Sequence, residues 1–238
     1  MVHGARGAGL RLHRRDRPEL RRNRAATQSP TARVRRHRRS RPVTTYTIPN
    51  VIARNSRGER IMDVYSHLLT ERIVYLGTAI DAGVANALVA QFLFLESDNP
   101  DAAIQFYINC EGGDPSAMLA IYDTMRYIRP RVETTCVGQA IAVGAVLLAA
   151  GAEGKRAALP HARVILHQPA AHGRGTIPDL ILQADEVVRV RADIERILSR
   201  HTGQTIETLR ADTDHDRVFT ATAALEYGLL DQIIEEHS

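Results

Sequence analysis

Apolar residues along this chain form short runs that alternate with longer segments of helical spacing. Four short runs are rich in β-branched and aromatic residues and predict buried strands, at Arg72–Gly77, Ala103–Asn109, Val132–Val137 and Arg163–His167. Four longer segments predict helices, one beginning after Asp81 and the others over Ala117–Ile128, Ala140–Gly151 and about Pro178 to His201. Strand followed by helix, repeated at intervals of roughly 30 residues, predicts an α/β fold with a mostly parallel sheet.

The last predicted helix is long for a domain of this size. Its periodic positions include Leu180, Arg191, Ile194 and Leu198, with Arg, Asp and Glu between them. Because such a helix extends beyond the body on which it packs, we expect it to protrude or to contact a partner chain.

Charge divides the 238 residues into two parts. Residues 1–43 contain 14 Arg and two acidic residues, a net charge of +12, whereas the remainder contains 17 basic and 25 acidic residues, a net charge of −8. Residues 1–43 also have no aromatic residue, no Ile and three Leu, so they lack the apolar surface needed to offset their ordering entropy. We therefore predict a disordered, Arg-rich N-terminal extension over 1–43 and one globular domain over 44–238.

Several classes of protein are disfavoured. The acidic body argues against a nucleic-acid-binding domain, and no run approaches the ~18–20 apolar residues of a membrane span. No apolar segment follows the basic leader, as a secretory signal requires. The two cysteines, Cys110 and Cys136, are expected to be buried reduced thiols, which indicates a reducing compartment. Residues 1–43 fit an organelle transit peptide, a removable propeptide or a start codon assigned too far upstream.

Two strand-to-helix junctions and one histidine are candidate sites of chemistry. The amides of Gly112 and Gly113 can face an oxyanion or simply form a turn. The segment Gly138–Ala145 has small residues that admit either a peptide backbone or a closely packed helix. His167 ends a strand, where a general base can lie, although a lone histidine there is more often structural.

A fourth candidate is the acidic segment around His215. Asp212, Asp214 and Asp216 are spaced by two residues, but no terminal bidentate Glu follows, as a calcium loop requires. We predict a solvated acidic turn without a metal.

Four stretches of the chain together resemble one family. They are TYTIPNVIARNSRGERIMDVYSHLLTERIVYLGTAID, YINCEGGDPSAMLAIYDTMRYIRP, CVGQAIAVGAVLLAAGAEGKRAALPHARVILHQP and HTGQTIETLRADTDHDRVFTATAALEYGLLD. They are similar to the ClpP family, the proteolytic subunit of the ATP-dependent Clp protease, from about Thr45 to Ile234. The resemblance implies a crotonase-like fold of ββα units with a protruding handle helix. It also implies two stacked heptameric rings, a tetradecamer that encloses a chamber for polypeptide substrates.

The resemblance also implies a Ser-His-Asp triad. His167 matches the general base and Asp216 the acid that orients it, while the amides of Gly113 and Val143 match the oxyanion hole. The nucleophile position holds Ala142. A methyl group cannot attack a carbonyl, so we predict that this chain does not hydrolyse peptides by the family's mechanism.

Two accounts of Ala142 stay open at this point. It is either a nucleophile knockout or the mark of a naturally silent subunit that assembles with catalytic relatives. Ser116 is the nearest alternative hydroxyl in the sequence, but it has no base beside it.

In the family, an apolar pocket at subunit boundaries receives loops of the partner ATPase, a Clp-type AAA+ protein such as ClpX, ClpC or a ClpA-like protein. The matching positions are Gln105, Tyr107, Tyr127, Thr135, Val137, Ala157 and Leu159. Polar or truncated side chains at Gln105, Thr135 and Ala157 are expected to weaken docking.

Two further departures concern charge. Glu111 replaces the family's Pro before Gly-Gly and adds a carboxylate near the substrate cleft. His215 replaces an Arg next to Asp216 that takes part in pairing between rings, so that contact is expected to weaken and to become sensitive to pH.

Other functions fit the sequence less well or only in part. A non-catalytic ring subunit shares every motif, whereas a crotonase-type acyl-CoA enzyme has no need of HQP, HTGQ or DRVF. Binding of nucleic acid by residues 1–43 would be non-specific and salt-dependent. We expect rings that are homo- or hetero-heptameric, no cofactor, no nucleic-acid or membrane partner, and a bacterial cytoplasmic location.

Overall fold

A computed structural model describes residues 48–55, 58–168 and 175–236. The predicted disordered extension over 1–43 lies outside these residues. The strands are β1 (Asn50–Asn55), β2 (Gly58–Asp63), β3 (Ile73–Leu76), β4 (Ile104–Cys110), β5 (Val132–Ile141), β6 (Arg156–Ala158), β7 (Arg163–Leu166), β8 (Arg217–Thr220) and β9 (Gln232–Ile233). The helices are α1 (Val64–Thr70), α2 (Ala82–Asp98), α3 (Pro115–Tyr127), α4 (Val143–Ala149), α5 (Ile177–Thr202), α6 (Ile206–Asp212) and α7 (Ala221–Tyr227).

The main sheet is mostly parallel, as predicted. Strands β3, β4, β5, β6 and β9 lie side by side in that order, and every pair among them is parallel. Strand β7 also pairs with β5 in parallel, and β8 is antiparallel to β7. Strands β1 and β2 form a separate antiparallel pair. Helices connect the parallel strands, which confirms the α/β class.

One face of the sheet packs on helices and forms the core. Along β4, residues Ile104, Phe106, Ile108 and Cys110 are buried, and the residues between them are only partly covered. The rings of Phe106 and of Phe92 on α2 meet edge to face, with centroids 5.4 Å apart, a favourable aromatic arrangement. The second face of β4 therefore remains available for other contacts.

The prediction that the third helix starts at Ala140 is wrong. Ala140 and Ile141 belong to strand β5, and the helix covers only Val143–Ala149, with Ala150 rather than Gly151 as its C-cap. The strand is longer than predicted because its last residues pair with β7, through Gln139–Ile141. Small apolar residues fit the spacing of a helix and of a strand equally well, and the long-range pairing with β7 decides that they form a strand.

Helix α5 is long and protrudes, as predicted. Thr176 and Asp179 form a capping box at its start, and Gly203 ends it in the left-handed conformation, with φ of 74°. Its first three turns are exposed, Ile177 to 76 % of its surface, and burial begins at Val190. None of the helices in the described part of the chain is both long and apolar enough to cross a membrane.

A buried ion pair joins β6 to the end of the chain. Arg156, only 8 % exposed, donates from Nε to Asp231 at 2.9 Å and from Nη1 to the backbone oxygens of His201 and Gly228 at 2.7 and 2.9 Å. Burial alone raises the pKa of the Asp231 carboxyl, but its hydrogen bonds with Arg156 outweigh burial and lower that pKa below its ordinary value.

The substitution Asp231→Asn is expected to lower the free energy of unfolding by about 3–5 kcal/mol, because it leaves the Arg156 guanidinium buried without a counter-charge. Urea denaturation at neutral pH measures this change. The stabilisation is complete above the unfolded-state pKa of about 3.9 and is lost as the pH falls through the lower folded-state pKa. The variant should therefore lose less stability than the parent chain on acidification.

Asp101→Asn is the matched control. Asp101 pairs with Arg129 at 2.8 Å, but both side chains are exposed, so the expected change is below about 1 kcal/mol. Equal effects of the two substitutions would contradict the importance of the buried pair.

Candidate active site

Three candidate segments follow the carboxyl ends of neighbouring strands and meet at one cavity. Gly112-Gly113 follows β4, Ala142 follows β5 and His167 follows β7. Ligand sites in open α/β sheets form at this edge. The cavity has a volume of about 200 Å³ and is lined by Glu111, Gly112, Gly113, Pro115, Ile141, Ala142, Val143, His167 and Ile194.

Ala142 occupies a strained turn between β5 and α4. Its φ of 49° and ψ of −105° are uncommon for a residue with a side chain. The turn is held by its backbone, since the Ala142 amide donates to Ile165 O at 2.8 Å and its carbonyl accepts from Ala145 N at 3.0 Å. A sharp strand-to-helix turn of this kind presents the side chain of its central residue to the solvent side of a sheet.

Gly113 is held in a position that excludes a side chain. Ile80 N donates to Gly112 O at 2.9 Å, and Asp114 N donates to Ile80 O at 2.8 Å, so the backbone is fixed on both sides of Gly113. A Cβ atom on Gly113 would lie 2.2 Å from Ile80 O, and its φ is 142°. Because the bridge uses the groups of Gly112 and Asp114, the Gly113 amide takes no part in it and can face the cavity.

Val143 supplies the second candidate donor. As the first residue of α4, its amide has no intrahelical acceptor. Val143 and Gly113 both line the cavity, so two backbone amides are available to a developing oxyanion beside Ala142.

Cys110 contacts the backbone of the glycine loop at Gly112, a contact that the sequence did not predict. Its Sγ lies 3.3 Å from Gly112 O and 3.4 Å from Gly112 N. Cys110 and Cys136 are both buried and unpaired, as predicted, and burial raises the pKa of both thiols. Both therefore stay protonated and unreactive at neutral pH.

His167 and Asp216 come together through the pairing of β7 with β8. Leu166 is the register partner of Arg217. This pairing places His167, the residue after β7, beside Asp216, the residue before β8. His167 Nδ1 lies 3.3 Å from Asp216 Oδ1, and the two side chains are 42 % and 75 % exposed. Because Nδ1 faces the carboxylate, Nε2 is the ring nitrogen available to a group at Ala142.

The remaining acidic residues near His215 have separate partners. Asp212 accepts a hydrogen bond from Tyr227 Oη at 2.7 Å and pairs with Arg217, while Asp214 accepts from Gln168 Nε2 at 3.2 Å. Among the described residues, no group of three His, Cys, Asp or Glu side chains converges as metal ligands do. The predicted solvated turn is wrong for Asp212, whose side chain is largely covered.

Six of the seven predicted docking residues share the sheet face opposite the helices. Tyr107, Thr135 and Ala157 are register partners across β4, β5 and β6; Gln105, Val137 and Leu159 flank this row. Gln105 Nε2 donates to Glu133 Oε2 at 2.8 Å, which makes part of the face polar.

Tyr127 is the exception among the docking residues. It ends α3, in the helical layer, and is 80 % exposed. Ser116 lies in the first turn of the same helix and is exposed. It is not among the described residues that line the cavity.

Comparison with known proteins shows the family of the chain. The sequence model of the family described as Clp protease matches residues 56–237. The ATP-dependent Clp protease proteolytic subunit 1 of Nocardia farcinica is 73 % identical over 81 % of this chain and 98 % of its own length. Subunit 4 of Rhodococcus jostii is 58 % identical, over 79 % and 97 %, and subunit 2 of Streptomyces avermitilis is 55 % identical, over 80 % and 96 %. Because these matches cover most of this chain and nearly all of each relative, the chain belongs to the Clp protease family.

Proposed function

We propose that this chain is a subunit of the proteolytic chamber of an ATP-dependent Clp protease, and that its own active site is silent. The observation that carries the proposal is the position of Ala142. Ala142 lies at a strained strand-to-helix turn and lines one cavity together with Gly113, Val143 and His167. This arrangement supports a site built for a serine nucleophile, at a position whose side chain has no oxygen.

The surrounding residues fit acyl transfer. With a hydroxyl at position 142, His167 Nε2 would accept its proton as the oxygen attacks the peptide carbonyl. Asp216 would stabilise the imidazolium that forms, and the two amides would stabilise the oxyanion. Loss of a triad nucleophile typically lowers turnover by about 10⁶-fold, so the present chain retains binding and oxyanion stabilisation but no covalent step.

The proposed assembly is a pair of stacked heptameric rings that receives unfolded polypeptides from a Clp-type AAA+ ATPase in the bacterial cytoplasm. Two features of the fold support an assembly. The first turns of α5 expose Ile177, Leu182 and Val188, which an isolated chain leaves in water. On the sheet face built on Tyr107, Thr135 and Ala157 are already buried within this chain. The partly exposed Gln105, Tyr107 and Val137 and the exposed Leu159 remain to contact a partner with a small apolar anchor.

A second candidate function is that of a non-catalytic ring subunit that assembles with catalytic relatives. The specific observation in its favour is again Ala142, in a fold that is otherwise complete.

Restoring the hydroxyl tests the proposed function. Ala142→Ser is expected to raise the hydrolysis of a fluorogenic peptide by about 10⁶-fold over the present chain, measured as kcat/KM at equal ring concentration. Ala142→Gly is the matched control, because it changes the same turn without supplying oxygen and should remain inert.

The double variants Ala142→Ser/His167→Ala and Ala142→Ser/Asp216→Asn show whether the restored activity uses the proposed triad. Both should lose most of the gain, the first more than the second. Activity of the present chain equal to that of Ala142→Ser would contradict the silent site. An inert Ala142→Ser ring would contradict the competence of His167 and the two amides.

The non-catalytic role predicts mixed rings. On co-expression with a Clp proteolytic subunit that carries the serine, native mass spectrometry should detect heptamers containing both chains, with peptidase activity only in fractions that contain the partner. Rings that sort completely into one kind of chain would contradict this second candidate.

A further inference from the structure

The last residue of helix α6 is an aspartate, which the electrostatics of a helix disfavour. The carboxyl end of a helix carries a partial negative charge, so a carboxylate there is unfavourable unless another group compensates it. The side chain of Asp212 lies at this end of α6 and is only 18 % exposed. Its compensation must therefore come from residues outside α6.

Two side chains from later elements compensate the Asp212 carboxylate. Tyr227, the last residue of α7, donates from Oη to Asp212 Oδ2 at 2.7 Å. Arg217, the first residue of β8, forms an ion pair with Asp212 Oδ1. Burial raises the pKa of the Tyr227 hydroxyl, and its hydrogen bond with Asp212 raises that pKa further, so the hydroxyl stays protonated at neutral pH. One carboxylate thus joins α6, β8 and α7.

Two aromatic rings hold the Arg217 guanidinium from another side. Its Cζ lies 4.9 Å from the centroid of the Phe219 ring and 5.1 Å from the centroid of the Tyr227 ring, and the centroids of the two rings are 4.8 Å apart. A guanidinium this close to an aromatic ring is attracted to it. Arg217 therefore has a defined position, although 43 % of its side chain is exposed.

These contacts enclose the segment that carries Asp216. Residues 213–216 separate α6 from β8, and the ion pair between Asp212 and Arg217 joins the two residues that flank them. The ion pair therefore closes the segment into a short loop. Asp216 is the last residue of that loop and is bonded directly to Arg217, so the position of Arg217 limits where the Asp216 backbone can lie.

The Asp216 side chain needs this support because it has little of its own. Its carboxylate is 75 % exposed, and its one polar contact with the described part of the chain is with His167 Nδ1, at 3.3 Å. The position of the backbone then decides whether the carboxylate stays within reach of the ring. A misplacement of about 1 Å is enough to lower the rate of an enzyme by about 10²-fold.

We propose that Asp212 is a positioning residue of the proposed triad. Its contacts with Arg217 and Tyr227 fix the loop 213–216, and this loop presents Asp216 to His167. The inference rests on the proposed function, since it concerns the same triad. Asp212 is not among the described residues that line the substrate cavity, so it acts on the reaction only through Asp216.

Peptidase measurements test the proposal in assembled Ala142→Ser rings. Asp212→Ala should lower kcat for a fluorogenic peptide by about 100-fold, within the roughly 10⁴-fold that a wrongly held triad histidine costs. Tyr227→Phe keeps the ring against Arg217 and removes only the hydroxyl, so it should lower kcat by about 10-fold. KM should change by less than about 2-fold, because neither variant removes a residue of the substrate cavity.

A double-mutant cycle separates positioning from a general loss of structure. In Ala142→Ser/Asp216→Ala rings, the further change Asp212→Ala should lower kcat by less than about 2-fold, because the group that it positions is already absent. An equal loss from Asp212→Ala with and without Asp216 would overturn the proposal. So would a change in KM at constant kcat.

Tyr122→Phe is the matched control for Tyr227→Phe. Tyr122 is also buried, and its Oη lies 3.2 Å from His201 Nε2, in a contact between α3 and α5. The substitution removes a hydroxyl of the same kind away from loop 213–216, so it should leave kcat unchanged. A loss equal to that of Tyr227→Phe would contradict a role specific to the Asp212 contacts.

Crystal structures test the same inference without a nucleophile. Rings of the present chain should show His167 Nδ1 within hydrogen-bond distance of Asp216. Rings with Asp212→Ala or Tyr227→Phe should show a separation above about 3.5 Å. An unchanged separation in both variants would refute the positioning role, even if Ala142→Ser is active. An inert Ala142→Ser ring, with Asp216 displaced in the variants, would refute only the proposed chemistry.

Discussion

The site depends on a change of hydrogen-bonding partner along one edge of strand β5. The strand pairs with β6 through Thr134–Cys136 and then with β7 through Gln139–Ile141. The hydrogen bond from the Ala142 amide to Ile165 O continues this second pairing past the end of the strand. Because β7 lies beside only the carboxyl-terminal part of β5, the residue after β7 is brought next to the turn after β5. If β6 paired with this edge of β5 along its whole length, β7 could not pair there and His167 would lie away from Ala142.

This change of partner from β6 to β7 requires β6 to be short. A three-residue strand then needs support from outside the sheet. Arg156 supplies it, because its guanidinium reaches the carbonyl oxygens at the ends of α5 and α7 as well as Asp231. Such a buried pair contributes geometry more than net stability, since desolvation offsets much of the attraction. The ion pair thus fixes the position of β6, while apolar packing of the sheet on α2, α3 and α4 supplies the favourable free energy.

Most elements could be predicted from the sequence because their signals are local. Helix α2 has a regular apolar period and Asp81 as its N-cap, whose side chain accepts from Val84 N. The end of β5 could not be predicted, since Ala140 and Ile141 fit a helix equally well until their pairing with another strand is known. The buried carboxylate of Glu195 on α5 is a similar case, because it accepts hydrogen bonds from both Arg191 and Arg210. One of its partners is four residues away on α5, but Arg210 is on a different helix, and no periodic pattern reveals that contact.

The site shows the same division between local and long-range information. The strand ends and the family resemblance identified Ala142, His167 and Gly113, and the pairing of β7 with β8 brings Asp216 to His167. The backbone bridge from Ile80 to the glycine loop has only an indirect sequence signal, the glycine at 113 that its close approach requires, because the bridge joins atoms that every residue possesses. The partner of such a main-chain contact, here Ile80, cannot be identified from side-chain chemistry.

The protruding start of α5 has a consequence for the supply of this protein in a cell. Ile177, Ile181 and Val188 share one face of α5 and form an apolar strip that the single chain leaves in water, and exposed strips of this kind promote aggregation. A chain synthesised in excess of its assembly partners keeps that strip uncovered and becomes a substrate for chaperones and for degradation. On the proposed assembly, the amount of this chain that stays soluble is expected to depend on how many partners are available to cover the strip.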